Sequence, residues 1–234
     1  MKEIISSPLF HLTITLLFYI LMRKLYIRFN YSFLNPILLT IVGLIVILYV
    51  TGIPYEAYSQ NTKIISFWLG PSVVALGLPL YLNLRKVKKE IWKILLAMTT
   101  GSIAGIVSVV LIAWSLGGSR EVMLSLAPKS VTTPIAMEIS HQIGGIPPLT
   151  AAIVITVGIF GAMFGMSFMK LLRIKDPKAI GLGVGAASHG VGTAWISHHG
   201  REYSAFGGLG MALNGILTAL FTPSIVHWML NWLH

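Results

Sequence analysis

A lysine and three hydroxyl residues stand together in the segment Leu126–Ala136, LAPKSVTTPIA, within an otherwise apolar part of the chain. These polar residues are Lys129, Ser130, Thr132 and Thr133, and two prolines limit regular helix around them. A cation in a membrane-embedded segment indicates a functional site. An ammonium holds a carboxylate as a point charge, and hydroxyls orient it. We predict one side of a carboxylate site here; the alternative is an external loop in which Lys129 is simply solvated.

The second candidate region is the stretch Gly181–Ala194, GLGVGAASHGVGTA, which carries five glycines and no charge. Hydropathy requires a membrane span at this point. A helix is the default in lipid, because every backbone polar group must be paired internally. Each glycine weakens a helix by about 1 kcal/mol relative to alanine. We therefore predict an interrupted helix whose backbone groups and small hydroxyls face a cavity.

Polar residues in and after this stretch complete the predicted substrate site. His189 is able to hydrogen-bond a carboxylate or to titrate during transport near neutral pH; the alternative is a histidine paired with a neighbouring helix. Asn214 is an amide in an apolar run and needs partners, either in a helix–helix contact or on a ligand. The second side of the site is predicted to comprise Ser188, His189, Gly190, Gly192, Thr193 and Asn214.

No cofactor or metal site is predicted from the sequence. The adjacent pair His198 and His199 suggests a metal, but adjacent side chains diverge on a helix, which favours two surface histidines. Proton coupling is favoured over sodium coupling, because His189 is available whereas carboxylates are scarce within the apolar runs.

The composition indicates an integral membrane protein. Of the 234 residues 55% are apolar and only 10% charged, whereas a soluble domain carries about 25% charged residues. The net charge of +10 does not indicate nucleic acid as a partner, because the basic residues cluster in short loops between apolar runs. No enzymatic activity is expected, since no acid, base and nucleophile lie together outside the bilayer. The absence of cysteine excludes disulfides and thiol catalysis.

Seven apolar runs are long enough to cross about 30 Å of hydrocarbon. They are Ile4–Met22, Phe33–Val50, Ile64–Leu84, Ile91–Leu116, Leu149–Leu172, Ala179–His198 and Ala205–Leu233. An eighth region, Val122–Ile143, contains two prolines, a lysine and a glutamate and fits a uniform span badly. The predicted fold class is an all-α integral membrane protein with seven transmembrane helices plus a re-entrant segment, or with eight spans if this region crosses.

Basic loops set the predicted orientation, because such loops stay in the cytoplasm. They comprise Arg23, Lys24 and Arg28, then the residues between Arg85 and Lys93, then those between Lys170 and Lys178. All three loops lie on one side only if Val122–Ile143 re-enters from the outside. The N-terminus is then expected outside and the C-terminus in the cytoplasm.

Two interrupted helices predict an inverted repeat within a single membrane domain, 1–234. The run GPSVVALGLP, with Gly70, Pro71, Gly77 and Pro79, breaks the third span, whose basic flank follows it. The Gly181 stretch has its basic flank before it, so the two broken helices run in opposite directions. This arrangement is typical of inverted-topology repeats with a binding site at their interface. The repeats are placed at about 1–117 and 118–234.

Two pairs of glycines are predicted to mediate packing between helices. Gly101-xxx-Gly105 and Gly161-xxx-Gly165 each put two small residues on one face of a helix. Such faces allow close approach of a neighbouring helix. They predict a compact bundle and no chemistry.

Three motifs resemble the LrgB/CidB family. They are PKSVTTPIA at Pro128–Ala136, ASHGVGTA at Ala187–Ala194 and AFGGLGMALNGILTALFTP at Ala205–Pro223. The chain is also similar to the C-terminal half of the plastid glycolate/glycerate translocator, and the resemblance covers essentially all of it. This resemblance implies a location in the bacterial plasma (inner) membrane. It also implies a small LrgA/CidA-like membrane subunit as partner, and we expect a homo-oligomer in the lipid bilayer.

The resemblance implies two different functions. One is transport of small monocarboxylates such as glycolate, glycerate or pyruvate. The other is a holin/antiholin-like role that modulates murein hydrolase export and autolysis. Polar residues gathered at two interrupted helices favour the first, because helix N-termini and Lys129 suit an anion at the membrane midplane. A pore formed by oligomers would need an amphipathic lining, which no span repeats.

Overall fold

The computed structural model describes residues 7–29, 34, 36–68, 71, 77–82 and 84–233, and within these ranges all regular structure is helical. The contacts between residues divide the chain into two units, Met1–Ala75 and Leu76–His234.

The first unit is built on one long helix. Its described helices are α1 (Pro8–Phe29), α2 (Pro36–Thr51), α3 (Tyr55–Asn61) and α4 (Lys63–Phe67). Helix α1 packs against α2 and α3. It is joined to α3 by two polar contacts, Thr15 Oγ1 to Tyr58 Oη at 2.8 Å and His11 Nδ1 to Asn61 Nδ2 at 3.0 Å.

The second unit contains three long helices and several short ones. Its described helices are α5 (Gly77–Leu82), α6 (Leu84–Ser115), α7 (Arg120–Leu126), α8 (Thr133–Ile143), α9 (Pro147–Leu171), α10 (Pro177–Ser197) and α11 (Arg201–Leu233). Local sequence accounts for several of their ends. Ser119 caps α7 and Asp176 caps α10 with side-chain oxygens, and a proline stands in the first turn of α8, α9 and α10. Gly144 ends α8 in the left-handed conformation, at φ 86°.

Helices α7 and α8 form a hairpin, which we call hairpin A, with its turn at residues 127–132. The Ser125 hydroxyl accepts a hydrogen bond from the Ile146 amide at 2.7 Å. Thr150 Oγ1 lies within hydrogen-bond distance of both the Ser125 carbonyl, at 3.0 Å, and Ser140 Oγ, at 2.7 Å. These contacts join the end of α7, the end of α8 and the first turn of α9. The open end of hairpin A is therefore held at the N-terminal end of α9.

Helix α10 also folds back on itself, in a second hairpin that we call hairpin B. Its path breaks at His189, which has φ 42° and ψ −135°. Ile196 packs in one cluster with Ile180 and Val184, beside Ile174 at the C-terminal end of α9. In an unbroken helix, residues 180 and 196 would lie about 24 Å apart. The halves 177–188 and 190–197 therefore lie side by side, with their open end near the end of α9.

The long helices α6 and α11 run parallel to each other. One cluster contains Val87 and Met98 of α6 with Phe206 of α11, near the start of both helices. Another contains Val110 of α6 with Val226 of α11, near the end of both. Since hairpins A and B are held at opposite ends of α9, they enter the unit from opposite ends, and their turns meet between them.

The predicted membrane class is confirmed. Within the described ranges four helices are long and apolar enough to cross a bilayer, and a fifth apolar helix is shorter: Pro8–Phe29, Val87–Ser115, Pro147–Leu171, Arg201–Leu233 and the shorter Pro36–Thr51. Each coincides with a predicted span. The chain is a multi-pass α-helical membrane protein.

One of the predicted spans has a different structure, and another lies partly outside the described ranges. The prediction that Ala179–His198 crosses the membrane is wrong, because the segment turns back at His189. Ile64–Leu84 contains the short helices α4 and α5, and most of the residues between them lie outside the described ranges. The prediction of a broken helix at Gly70–Pro79 falls mainly on those residues, so the inverted repeat with its boundary near 117 stays a prediction.

The region Val122–Ile143 is not a uniform span. It consists of α7 and α8, of 7 and 11 residues, joined by the turn of hairpin A. Helices of this length reach only about 10 and 16 Å, so neither one crosses the hydrocarbon by itself. This geometry favours the re-entrant alternative over the eighth span.

Candidate functional site

Asn214 joins the turns of the two hairpins. Its Nδ2 donates to the Ser130 carbonyl of hairpin A and to the Ala186 carbonyl of hairpin B, each at 2.9 Å. Its Oδ1 accepts from the Ser102 hydroxyl of α6 at 2.6 Å. One buried amide thus uses both of its N–H donors and its oxygen to connect four segments. Asn214 thereby holds the two long helices α6 and α11 and the two hairpins in one arrangement.

A cavity of about 500 Å³ lies beside this junction. Its inner polar lining comprises Ser102, Lys129, Ser130, Asn214 and Thr218, and its apolar walls include Ile94, Met98, Leu182 and Phe206. Charged residues Glu90, Lys93, Asp176 and Lys178 line its outer part, near the open end of hairpin B. A pocket that combines apolar walls with a few convergent polar groups is typical of small-molecule sites.

Lys129 is the charged residue in the inner part of the cavity. Lys129 Nζ donates to Ser130 Oγ at 2.9 Å and forms no ion pair with a carboxylate of the described ranges. Helix α8 and the second half of α10 both start at the hairpin turns, so their positive N-terminal ends point towards the middle of the unit. The chain segments that lead into the two turns bring backbone carbonyls to the same place, and Asn214 donates to two of these, the carbonyls of Ser130 and Ala186.

His189 anchors the turn of hairpin B to α9. Its Nε2 lies 2.9 Å from the Val154 carbonyl, to which the ring N–H donates, and Thr193 Oγ1 donates to the His189 carbonyl at 2.6 Å. Gly158 leaves room for the imidazole, since a Cβ there would lie 2.7 Å from two ring atoms. The positive φ of His189 is one that favours glycine, so the histidine is kept at a cost in backbone energy of about 1–3 kcal/mol.

The structure separates the predicted site residues into two groups. Lys129, Ser130 and Asn214 line the cavity. The others lie outside its lining: Thr132 and Thr133, half-buried at the start of α8; Ser188, His189, Gly192 and Thr193, buried behind the turn of hairpin B; and half-buried Gly190 beside Met211. Direct substrate binding by this second group stays a prediction.

The site predicted from the sequence includes no residue of α6, although α6 forms one wall of the cavity. Gly101 and Gly105 line the cavity, and a Cβ built on either would meet no atom of the described ranges within 4 Å. The prediction that this pair mediates packing is therefore wrong. Gly161 and Gly165 do pack as predicted, against Ser188 and Val184 of hairpin B. The sequence signal for this wall of the site is Ser102, a hydroxyl next to one of the two glycines.

An ion pair closes part of the outer cavity. Lys178 Nζ of hairpin B lies 2.6 Å from Glu90 Oε1 of α6, with side chains 23% and 32% exposed. Exposed pairs of this kind contribute about 0–1 kcal/mol, so this one adds little to stability. Because the pair lies at the cavity entrance, it affects access to the cavity more than it affects the stability of the fold. Among the described residues, no three histidine, aspartate or glutamate side chains are grouped to hold a metal ion.

Fold and site together define a multi-pass membrane protein with a cavity of apolar walls and a few polar groups beside the turns of two opposed hairpins. The chain belongs to the LrgB-like family, whose sequence profile matches residues 15–228. No solved structure matches it significantly.

Similar proteins come from several bacteria. The uncharacterized protein YxaC of Bacillus subtilis is 34% identical over 218 residues, covering 93% of this chain and 94% of that protein. An uncharacterized protein of Haemophilus influenzae is 37% identical over 199 residues, 85% and 86% of the two chains. The holin-like protein CidB of Staphylococcus aureus is 31% identical over 220 residues, 94% and 96% of the two chains.

Proposed function

We propose that this chain is a membrane protein of the holin/antiholin type, which controls passage across the bacterial plasma membrane. Its similarity to holin-like CidB over nearly the whole of both chains supports this class. The holin-like name of that relative favours this role over a role in carboxylate transport. Modulation of murein hydrolase export and autolysis is the more specific form of this proposal.

The cavity supports a more specific function, the transport of small monocarboxylates such as glycolate, glycerate or pyruvate. The observation that carries this proposal is Lys129, a cation that lines the cavity and has no described carboxylate partner. A bound carboxylate would supply the missing negative charge. The Ser130 hydroxyl accepts from Lys129 and can donate its own proton to the carboxylate. Ser102 and Thr218 donate to Asn214 Oδ1, so their oxygens would accept from a hydroxyl of the substrate.

The position of the lining residues supports access from one end. The cavity runs from Glu90 and Lys178, at the open end of hairpin B, to Lys129 in the middle. On the side of Lys129 away from this entrance, buried apolar residues of α6, α7 and α11 pack together, among them Val110, Met123 and Val226. Alternating access would then require the hairpin A end to open while the hairpin B end closes.

Orientation follows from the charge rule applied to this fold. The basic residues near Lys93 and Lys178 support a cytoplasmic location for the open end of hairpin B. The sequence alone predicts a cytoplasmic C-terminus because it counts Ala179–His198 as a crossing. With that segment folded back, α11 starts on the cytoplasmic side and the C-terminus lies outside. The N-terminus, before the basic loop at Arg23–Arg28, is also proposed to be outside.

Two further elements of the proposal concern coupling and partners. Proton coupling is preferred over sodium coupling, with His189 as the titrating residue. A small LrgA/CidA-like membrane subunit is the proposed partner, and the chain itself is proposed to form homo-oligomers. Reconstitution with and without that subunit, over a range of external pH, tests both.

Proteoliposomes separate the two functions. If the protein transports carboxylates, vesicles that contain it should take up labelled pyruvate or glycolate with saturation kinetics. Lys129→Gln should lower the initial rate of uptake about 10- to 100-fold, which is the loss expected when a hydrogen bond to a charged group is removed. Lys175→Gln, a matched control on an exposed loop lysine, leaves the rate unchanged. Leakage of uncharged dye without saturation would favour the pore. Normal uptake by Lys129→Gln would reject this cavity as the carboxylate site.

A further inference from the structure

A second cavity, of about 320 Å³, lies at the open end of hairpin A. It is formed by α7, α8 and the last turns of α11. Its polar lining consists of Arg120, Gln142 and His227, and its apolar lining of Leu124, Ile143, Pro223, Val226 and Leu230. It shares no lining residue with the cavity at Lys129.

The polar lining is suited to an anion. The guanidinium of Arg120 is always charged and offers planar hydrogen-bond donors that match phosphate oxygens. His227 and Gln142 add a ring nitrogen and an amide. The two nearest glutamates do not line the cavity: Glu121 accepts from the Ser119 hydroxyl at 2.9 Å, and Glu138 accepts from Gln142 Nε2 at 2.9 Å.

Exposed tryptophans place this cavity at the level of the lipid headgroups. Trp114, shortly before Arg120, is 47% exposed, and Trp228 and Trp232, beside and after His227, are 65% and 81% exposed. Tryptophans concentrate where the hydrocarbon meets the headgroups. An anion site at this level, with apolar walls, faces lipid phosphate from the surrounding bilayer.

We propose that this cavity binds the headgroup of an anionic phospholipid. The phosphodiester lies between Arg120 and His227, the Gln142 amide donates to a further oxygen, and Leu124 and Leu230 contact the carbon atoms next to the phosphate. Because the site joins both helices of hairpin A to α11, a bound lipid fastens the open end of this hairpin. The opening of that end would then depend on the lipid composition of the membrane.

Native mass spectrometry of protein from vesicles containing equal amounts of phosphatidylglycerol and phosphatidylcholine tests the proposal. The wild-type chain is expected to retain phosphatidylglycerol preferentially after detergent extraction. Arg120→Gln lowers this preference about fivefold, the effect of one basic side chain near an anionic surface. The matched control, Arg201→Gln at the start of α11 and at the other end of the unit, leaves it unchanged.

Two more variants and a competing anion sharpen the lipid test. Arg120→Lys, which keeps the charge, is expected to retain most of the preference, and His227→Gln to lose part of it. These variants keep the proposal testable if Arg120→Gln does not fold. Equal retention of both lipids by the wild type would overturn the proposal, as would the same loss in Arg201→Gln. Displacement of the lipid by inorganic phosphate at equal concentration would overturn the lipid assignment and leave a free-phosphate site.

Discussion

Hairpins A and B approach the same point from opposite ends but contribute different things to it. The turn of hairpin A is open, spans several residues and extends the side chain of Lys129 into the cavity. The turn of hairpin B is a single break at His189, whose side chain points away to Val154 of α9. Hairpin A therefore supplies charge, whereas hairpin B supplies backbone and its attachment to the scaffold. Asn214 joins the two hairpins in a single site through its hydrogen bonds to Ser130 and Ala186.

The largest effect on stability is expected from Asn214→Ala. This substitution leaves the carbonyls of Ser130 and Ala186 and the hydroxyl of Ser102 without their partner. Each unsatisfied buried group costs about 1–3 kcal/mol, so the loss of three partners should lower the free energy of unfolding by about 3–9 kcal/mol. Chemical denaturation in detergent measures it. Ser102→Ala, which removes only one of the three bonds, should cost distinctly less; equal losses would contradict the central role of Asn214.

The two glycine pairs predict opposite results. Gly161→Ala puts a methyl group against Ser188 of hairpin B, and such overpacking costs about 1–3 kcal/mol. Gly105→Ala puts it into the open cavity and should raise the free energy of unfolding by up to about 1 kcal/mol, because alanine favours the helix more than glycine does. If the cavity carries substrate, Gly105→Ala reduces uptake of larger acids more than that of glycolate. A loss of stability in Gly105→Ala similar to that in Gly161→Ala would show that both pairs pack.

Substitutions of His189 test the anchoring of hairpin B. Both His189→Ala and His189→Gly lose the hydrogen bond to Val154, worth about 0.5–1.5 kcal/mol. Glycine also relieves the positive φ, so His189→Gly should be more stable than His189→Ala by about 1 kcal/mol. Unfolding in detergent compares the two. Undiminished uptake in both would restrict His189 to a positioning role and remove it as the coupling residue.

Part of the site could be predicted from the sequence for physical reasons. Lys129 and Ser130 stand out because charge is rare in apolar segments, and five glycines in Gly181–Ala194 make an unbroken helix unfavourable. The position of the break could not be predicted, because His189 carries it at a φ that the neighbouring Gly190 would adopt more easily. Its hydrogen bond to Val154 exists only in the folded protein.

The sequence could not predict that the two halves of hairpin B fold back on each other, for a different reason. Ala179–His198 is long and apolar enough to cross a membrane, and hydropathy cannot tell a span from two half-helices lying side by side. The distinction depends on Ile196 packing against Ile180 and Val184, which is a contact and not a composition. Ser102 and Thr218 were missed because a lone hydroxyl in an apolar helix usually bonds its own backbone.

Accessibility of single cysteines tests the opposed hairpins most directly, and the chain has no native cysteine to interfere. The exposed residues Lys175 and His199 stand just before and just after hairpin B in the sequence, and the exposed Gln142 lies at the open end of hairpin A. The three variants are Lys175→Cys, His199→Cys and Gln142→Cys. In oriented vesicles, an impermeant thiol reagent should label positions 175 and 199 from the same side and position 142 from the other. Labelling of 175 and 199 from opposite sides would mean that α10 crosses the membrane, and would contradict the opposed arrangement of the two hairpins.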